Sequence, residues 1–340
     1  MKSEITQKID LIEYQNFIKN NNSSFYHSKN HILFLNDLLK TKPYFVQVKN
    51  NNKLLGVLPF FLKTSSFGSV INSLPFFGSY GGVVSSSDNI SKLLLEELNN
   101  FIKKNNILSA TIIMNPFLTN SKIYEKYFEH DFIEKRRIQC IDLNNYTDES
   151  LWLSFEQRVR RSIRKSFKEN LTVSKISLTD ESINNFFSLH EKEMNSKGGK
   201  PKPIEFFKSV KNNFTKDVDY DVFEVKKNEK SISYLLVFYH YPYTEYYMPA
   251  YNSEYKNSQS TSLLIWESIK TSINKNFKFY NFGGTWFDQP ELYLFKRGWN
   301  ANDYFYNYYI YADIDKIKTI GIENLSKSFP YFFVVPYEKI

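Results

Sequence analysis

Lys296 is the side chain whose position is most directly connected to a possible reaction. We expect it in the last turn of a helix at residues 290–298, soon after a strand that ends at Gly283 and Gly284. A lysine beside a strand end can neutralise the oxyanion that forms when an amine attacks a carbonyl. The same lysine can instead stabilise the carboxyl end of its helix, and the residues alone favour this second interpretation.

Six cations within eleven residues form the second candidate site. No acid separates them, so their charges repel one another unless they meet an anion. Arg158, Arg161 and Lys165 share one helical face, and Arg164 lies on a neighbouring face. The full set is Arg158, Arg160, Arg161, Arg164, Lys165 and Lys168. Because guanidinium groups suit phosphate, we expect contact with a phosphate-bearing donor or acceptor, the alternative being a solvated face.

Other motifs predict less. Residues 74–82 combine glycines with aromatic side chains, which favours either a close approach to a ligand or a tight strand connection. His27 and His31 are four residues apart, but no Cys or Glu completes a ligand set, so we expect no metal. The single cysteine, Cys140, excludes an internal disulfide and is expected in a buried strand.

The chain has two halves with a similar order of elements. In each, a hairpin precedes a helix and further strands, which is the order of an acetyltransferase-type α/β unit and indicates an internal duplication. In the first half the elements lie at residues 44–62, 88–102, 110–114 and 138–143. In the second half they lie at residues 220–241, 243–250, 260–273, 277–282 and 304–311.

Helical stretches are predicted between the halves and near the end of the second half. An apolar residue at every fourth position from Leu151 to Phe167 predicts one long helix over residues 148–170. Shorter helices are expected at residues 180–195 and 204–214. On the helix at 290–298, three apolar side chains are expected to face inward, namely Leu292, Leu294 and Phe295.

Length and charge narrow the class of protein. A chain of 340 residues with 42 % hydrophobic residues can form two cores. The formal net charge of +8 favours phosphates, tRNA or a membrane surface as partners, or simply a soluble surface. The charged amino terminus does not resemble a signal peptide, and no apolar stretch reaches the about 18 residues of a membrane span. We expect a cytoplasmic protein with possible peripheral membrane contact, and no DNA partner.

Several short motifs together resemble the Fem family of peptidyltransferases. They are the basic run at 158–165, Lys202-Pro-Ile-Glu-Phe-Phe207, Tyr280-Asn-Phe-Gly-Gly284 and Leu292-Tyr-Leu-Phe-Lys-Arg-Gly-Trp299. The similarity covers most of residues 20–312, and the Phe-Gly-Gly and Phe-Lys elements are its most specific part. Residues 24–28 and 77–82 are similar to a related branch, the BioF-like acetyltransferases.

The resemblance implies a fold and a reaction. The fold is α/β, a tandem pair of GNAT-like domains, each a mixed, mostly antiparallel sheet flanked by helices. The reaction is transfer of an aminoacyl group from aminoacyl-tRNA to an amine of a peptidoglycan precursor, or a related acyl transfer in envelope polysaccharide pathways. We expect domains at 1–145 and 146–312, the second with the catalytic site, and a tail at 313–340 that could pack on the first.

The resemblance also assigns catalytic roles. The family's Phe-Lys pair matches Phe295 and Lys296, and the lysine of that pair stabilises the acyl-transfer intermediate. This match raises the catalytic interpretation of Lys296 above the structural one. A tyrosine on the third strand matches Tyr246 or Tyr247, and we expect Tyr247 in the catalytic set and Tyr246 near the substrate.

Substrate binding is assigned in the same way. Lys202 and Phe206 stand where the family has an arginine and a tyrosine that bind the precursor, and Gly283 and Gly284 border the same site. No tightly bound cofactor is expected. The chain lacks the Q/R-x-x-G-x-G/A loop with which standard GNAT enzymes bind acetyl-CoA, so the donor stays open between aminoacyl-tRNA and acetyl-CoA. The alternatives are an acetyl-CoA-dependent N-acetyltransferase acting on an amino sugar and a noncatalytic module that binds tRNA or another RNA.

Overall fold

The computed structural model of the chain describes residues 1–76, 79–144 and 146–340. It contains two compact units. Unit 1 comprises Met1–Arg137 and Phe305–Ile340, and unit 2 comprises Ile138–Tyr304. These bounds differ from the predicted domains. Residues 305–312, expected in the second domain, lie in unit 1 with the end of the chain, because part of this segment pairs with a strand of unit 1.

Helices and strands are both distributed along the described residues. The helices are α1 (Leu11–Lys19), α2 (Lys29–Leu39), α3 (Asp88–Lys104), α4 (Ser121–Tyr127), α5 (Asp148–Ser154), α6 (Gln157–Phe167), α7 (Asp180–Ser196), α8 (Ile204–Asn213), α9 (Ser260–Asn274), α10 (Pro290–Arg297), α11 (Ile314–Ile320) and α12 (Ile322–Ser328). The strands are β1 (Lys2–Thr6), β2 (Pro43–Asn50), β3 (Lys53–Ser65), β4 (Gly68–Asn72), β5 (Val84–Ser85), β6 (Ile107–Ile113), β7 (Phe132–Asp142), β8 (Leu171–Ile176), β9 (Tyr220–Lys227), β10 (Lys230–His240), β11 (Tyr243–Tyr251), β12 (Phe279–Gly284) and β13 (Asn302–Ala312).

In unit 1 the strands β2, β3 and β4 form an antiparallel meander, and β4 then pairs in parallel with β6. The turn between β2 and β3 contains Asn51 and Asn52, both with positive φ, a conformation that asparagine tolerates. Helix α3 connects the parallel strands, as a parallel pair requires. It packs on the sheet because Leu94, Leu95 and Leu98 bury one of its faces.

In unit 2 the same order recurs. Strands β9, β10 and β11 form an antiparallel meander, β11 pairs in parallel with β12, and α9 connects the two. Residues 138–142 of β7 pair antiparallel with β12, and β8 pairs antiparallel with β9. The order β9-β10-β11-α9-β12 therefore matches β2-β3-β4-α3-β6. This confirms the predicted tandem arrangement of mixed, mostly antiparallel sheets flanked by helices.

The core of unit 2 lies between the sheet and helices α5, α6 and α9. Ile163, Trp266, Ile269, Tyr280 and Trp299 are among its buried members. Side chains of this size contribute most of the hydrophobic free energy of a domain, about 1.5–3 kcal/mol each for residues such as Ile or Phe. Packing on this core holds the basic helix in place.

The predicted long helix over 148–170 is wrong in one respect, because it is two helices. Phe155 and Glu156 are extended and separate α5 from α6. The backbone amide of Glu156 donates to the carbonyl of Gly298 at 2.9 Å. The ring of Phe155 is buried 5.2 Å from the ring of Trp299. A tertiary hydrogen bond and a core contact thus outweigh the helical period, which continues across the break.

The predicted inward orientation of two leucines on α10 is also wrong. Leu292 and Leu294 are exposed, and Phe295 is partly buried against the core of unit 2. Helix α10 has only about two turns, and Lys296 is its buried residue. A charged side chain is therefore buried on this helix where the apolar pattern predicts leucines.

The glycine-rich segment of unit 1 is a tight connection where it is described. Phe77 and Gly78 lie outside the described residues. The amide of Gly81 donates to the carbonyl of Ile113 at 2.9 Å. A side chain at Gly82 would lie 2.3 Å from the hydroxyl oxygen of Tyr124. Glycine at this position therefore allows close packing.

Candidate active site

Strands β11 and β12 separate part-way along their length. Within the described residues, their parallel pairing joins 243–245 with 279–281 and goes no further. A bulge in β11 adds to the separation, because Leu236 of β10 pairs with Met248 while Val237 pairs with Tyr246. Tyr247 is thus the extra residue of the bulge, and such insertions bend a strand and re-aim its side chains. The opening between the two strands places backbone groups of β12 where a substrate could approach.

Lys296 lies at the end of this opening. It is 3 % exposed, and its ammonium donates to the carbonyls of Gly283 at 3.1 Å and Gly284 at 2.6 Å. Gly283 has a φ of +72°, which only glycine adopts freely, and a side chain there would meet no other atoms. Backbone conformation, and not a lack of space, therefore favours glycine at position 283. A buried ammonium at the end of a strand fits the predicted oxyanion role, which remains a prediction.

A buried polar network connects this lysine with a carboxylate that sequence analysis missed. The amide of Gly283 donates to Asn281 Oδ1 at 2.9 Å, and Asn281 Nδ2 donates to Glu245 Oε2 at 2.8 Å. Glu245 is 2 % exposed. Its one signal in the sequence is that it is the single charged residue of a strand with four tyrosines, and a buried acid is unusual unless it has partners.

Two of the predicted aromatic residues pack on rings of the unit 2 core. The Tyr246 ring lies 5.3 Å from the ring of Phe282, and the Phe295 ring lies 6.5 Å from that of Trp299. Burial raises the pKa of the Tyr246 phenol well above its ordinary value, so it stays protonated. Both residues pack against the core of unit 2, which accounts for their aromatic character without a substrate.

Tyr247, Phe206 and Lys202 form a separate layered group. The rings of Phe206 and Tyr247 are stacked, with centroids 5.7 Å apart, and Lys202 Nζ lies 5.4 Å from the centre of the Tyr247 ring. Phe206 is fully buried. Burial lowers the pKa of Lys202 to about 8. Burial, followed by the charge of Glu245, raises the pKa of the Tyr247 phenol. The structure thus brings these three predicted residues together.

The predicted basic face lies on α6 and is exposed. Val159, Ile163 and Ser166 are buried on the opposite face, which leaves the cations directed to solvent. Arg158 pairs with Glu156 at 2.7 Å and also donates to the carbonyl of Leu294 on α10. The exposed cations of this helix are Arg158, Arg161, Arg164, Lys165 and Lys168. Arg164 lies 5.5 Å above the ring of Trp152.

His27 and His31, the pair considered as metal ligands, bond to the backbone within unit 1. His27 Nε2 lies 2.8 Å from the carbonyl of Gly82, and His31 Nδ1 lies 2.9 Å from the carbonyl of Tyr26. Burial lowers the pKa of His27 to about 4 and that of His31 to about 3, so both are neutral near pH 7. Among the described residues, no group of three His, Cys, Asp or Glu side chains is placed to hold a metal ion.

Comparison with known families identifies the part of the chain that contains the lysine and the opening. Residues 154–305 match the family described as "Acetyltransferase (GNAT) domain". The match supports an acyltransferase, and the matched segment includes β11, β12, α6 and α10. No protein in the curated set matches the chain.

Solved structures show the same fold over nearly the whole chain. FemX has a TM-score of 0.73 at 15 % identity, with 90 % of this chain and 97 % of that chain covered. L-PGS from Bacillus licheniformis has a TM-score of 0.60 at 10 % identity, with 89 % and 92 % covered. A tandem GNAT protein from the clavulanic acid biosynthesis pathway has a TM-score of 0.56 at 10 % identity, with 91 % and 98 % covered. At these identities the likeness establishes the GNAT fold only.

None of the helices in the described residues combines the length and the apolar character needed to cross a membrane.

Proposed function

We propose that this GNAT acyltransferase forms an amide by moving an acyl or aminoacyl group to an amine of a cell-envelope precursor, in peptidoglycan or polysaccharide synthesis. One observation carries the proposal. Lys296 is buried with its ammonium on the carbonyls of Gly283 and Gly284, beside the point where β11 and β12 separate. A fixed positive charge in a site of low polarity is well suited to a developing oxyanion.

The proposed reaction is a direct transfer of the acyl group from the donor to the amine. The neutral amine attacks the acyl carbonyl, an N–C bond forms, and the carbonyl oxygen becomes negatively charged beside Lys296. The intermediate then collapses, and the C–O bond of an aminoacyl-tRNA ester or the C–S bond of an acetyl-CoA thioester breaks. The leaving oxygen or sulfur takes up the proton that the amine loses. An ammonium has three donors, and two are directed at carbonyls, which holds the charge in position.

The remaining predicted residues have supporting roles in this proposal. Phe295 and Tyr246 form the apolar wall that limits water, and Tyr247 lies at the bulge of β11. Both possible donors carry phosphates. The exposed cations of α6 and the partly buried Lys202 are the groups that would bind them, with Arg the stronger ligand because it binds bidentately. The donors named here are cytoplasmic compounds, so we place the protein in the cytoplasm.

An N-acetyltransferase that uses acetyl-CoA and acts on an amino sugar is the second candidate. The description of the matched family, which names an acetyltransferase domain, favours it. A noncatalytic RNA-binding module is disfavoured, since the domain is an acyltransferase domain.

Thermal stabilisation by ligands tests these candidates. The full chain is heated with acetyl-CoA, with aminoacyl-tRNA and with uncharged tRNA, each in excess, because a ligand that binds only the folded state raises the transition temperature. A larger rise with aminoacyl-tRNA than with uncharged tRNA supports the aminoacyl transfer. A rise with acetyl-CoA alone supports the N-acetyltransferase. Equal rises with both RNAs and no acyl transfer would contradict both enzyme candidates.

A further inference from the structure

Four large apolar side chains are exposed along α10 and the turn before it. Trp286, Phe287, Leu292 and Leu294 are 54 %, 55 %, 38 % and 52 % exposed. They fall within nine consecutive residues of unit 2. We call these four residues the apolar edge. An exposed apolar cluster, unlike a single exposed leucine, indicates a surface that contacts another surface.

The aromatic end of the apolar edge is held by hydrogen bonds. The amide of Trp286 donates to Gln289 Oε1 at 3.2 Å, and the amide of Gln289 donates to the carbonyl of Trp286 at 3.2 Å. Trp286 and Phe287 are therefore presented by a closed turn. Less conformational entropy is lost on binding when the contacting residues are already ordered.

Positive charge adjoins the other end of the apolar edge. Arg158 donates to the carbonyl of Leu294, and Arg161 and Lys165 continue along the same face of α6. Helix α10 is about 12 Å long at 1.5 Å per residue, and Arg158 contacts it at the Leu294 carbonyl. We call the apolar edge together with the basic face of α6 the strip. Three acids lie along this strip. Glu156 pairs with Arg158, while Asp288 and Glu291 are exposed at the amino end of α10, so the cationic part is at the Leu294 end.

We propose that this strip docks unit 2 on the surface of an anionic phospholipid bilayer. Tryptophan and phenylalanine favour the boundary between headgroups and acyl chains, and leucine favours the acyl chains. Arginine and lysine next to them pair with the lipid phosphates. The proposal shares the cations of α6 with the proposed acyl transfer, but it can be tested separately because docking on lipid needs neither a donor nor an acceptor.

Two other occupants fit the strip less well. RNA would account for the cations, and aromatic rings stack on bases, but Leu292 and Leu294 offer nothing for a base to stack on. A second copy of the chain on a two-fold axis would bring the Arg158, Arg161 and Lys165 face close to its own copy, and like charges across an interface oppose binding. Vesicle flotation, RNA binding and sedimentation distinguish both occupants from lipid.

Vesicle flotation of the full chain tests the docking. Vesicles of equimolar phosphatidylglycerol and phosphatidylcholine should carry the wild-type protein upward, and vesicles of phosphatidylcholine alone should not. The double variant Trp286→Ser with Phe287→Ser should reduce binding about tenfold or more, and Leu294→Ser should reduce it as well. Val218→Ser is the matched control, since Val218 is 67 % exposed in unit 2 but lies in the loop before β9. It should bind like the wild type.

Fluorescence identifies the residue that enters the lipid. Trp286→Phe keeps an aromatic ring and should still bind the anionic vesicles, but the blue shift of tryptophan emission seen with the wild type should disappear. Unchanged thermal transitions of all variants exclude misfolding as the cause of lost binding.

Several outcomes would overturn the docking. They are no flotation of the wild type, equal loss of binding in Val218→Ser, or undiminished binding in the double serine variant. If the double variant fails to float but also loses tRNA binding that the wild type shows without vesicles, the strip is an RNA surface. If it changes the sedimentation of the lipid-free protein from dimer to monomer, the strip is an interface between copies.

Discussion

The side-chain amide of Asn281 donates a 2.8 Å hydrogen bond to the carboxylate of Glu245, and both groups are buried. The carbonyl of the same amide accepts from the backbone of Gly283, whose own carbonyl accepts from Lys296. Four residues on two neighbouring strands and one helix are therefore joined in one network. In a buried network each member supports the next, so loss of one bond weakens the others.

Substitution of Asn281 should show this connection. Asn281→Ala leaves both Glu245 and the amide of Gly283 without this partner, and we expect a loss of about 1–3 kcal/mol in the free energy of unfolding. Glu245→Gln keeps a carbonyl acceptor and should cost less. Urea denaturation of the two single variants and the double variant measures the coupling. Additivity to within about 0.5 kcal/mol would show that the bond contributes little.

A matched substitution of the neighbouring Arg297 separates the catalytic role of Lys296 from a role in helix stabilisation. Lys296→Met should abolish acyl transfer, because the oxyanion loses its positive charge, while Arg297→Met should retain it. Arg297 is an exposed cation in the same last turn of α10 and therefore shares any effect on the helix dipole. Turnover is measured by mass spectrometry of the acylated amine. A folded, active Lys296→Met variant would exclude the catalytic role.

Ligand binding at Lys202 should depend on pH. Burial lowers the pKa of Lys202 to about 8, so its charge is present at pH 7 and largely lost at pH 9. Affinity for a phosphate-bearing ligand should then fall by up to about tenfold between these pH values in the wild type. Lys202→Met should bind more weakly at pH 7 and show little change with pH. Lys200→Met, which removes an exposed cation of the same loop, should keep the wild-type profile in calorimetry.

The same shift has an effect on stability. The folded pKa of Lys202 lies below the ordinary value of 10.5, so the unfolded chain binds more protons between about pH 8 and 10.5. The contribution of this residue to the free energy of unfolding therefore rises with pH through that window. The rise is moderate because the side chain is partly exposed. If the free energy of unfolding of Lys202→Met still rises with pH in this window, other groups cause the rise.

Acid should weaken unit 1 through its buried histidines. Burial lowers the pKa of His27 to about 4, so between pH 6.5 and 4 the unfolded chain takes up a proton that the folded chain does not. We expect a loss of roughly 1–3 kcal/mol in the free energy of unfolding over this range. His27→Asn should be less stable at pH 7, since the bond to Gly82 changes, but should lose less on acidification. Urea denaturation at pH 7 and pH 5 compares them, and parallel losses would exclude His27 as the cause.

Much of the fold could be predicted from local pattern. The hairpin turns at Asn51 and Asn228 have the positive φ that such residues tolerate, and helix α7 follows the predicted 180–195 closely. The residue pattern predicts Lys296 in the last turn of a helix that follows a strand end, and its carbonyl partners are at that strand end. These features depend on residues close in sequence, whose preferences act within a few positions.

Features that depend on distant residues could not be predicted in this way. No residue close to Phe155 in sequence indicates a helix break. The break is caused by two distant residues: the carbonyl of Gly298 accepts from the amide of Glu156, and the ring of Trp299 packs on Phe155. The exposure of Leu292 and Leu294 depends on how α10 packs in unit 2, with Lys296 buried and the leucines not. Glu245 has no polar partner close in sequence, and the pairing of β11 with β12 brings it to Asn281.

The sequence by itself therefore determined the order of helices and strands, the basic face and the position of Lys296 along the chain, because these depend on periodicity and on turn residues. The tertiary structure alone decided that β11 and β12 separate beside Lys296, that Glu245 joins its network, and that an apolar edge lies next to the cations of α6. Each of these depends on contacts between residues far apart in sequence, which local preferences do not encode.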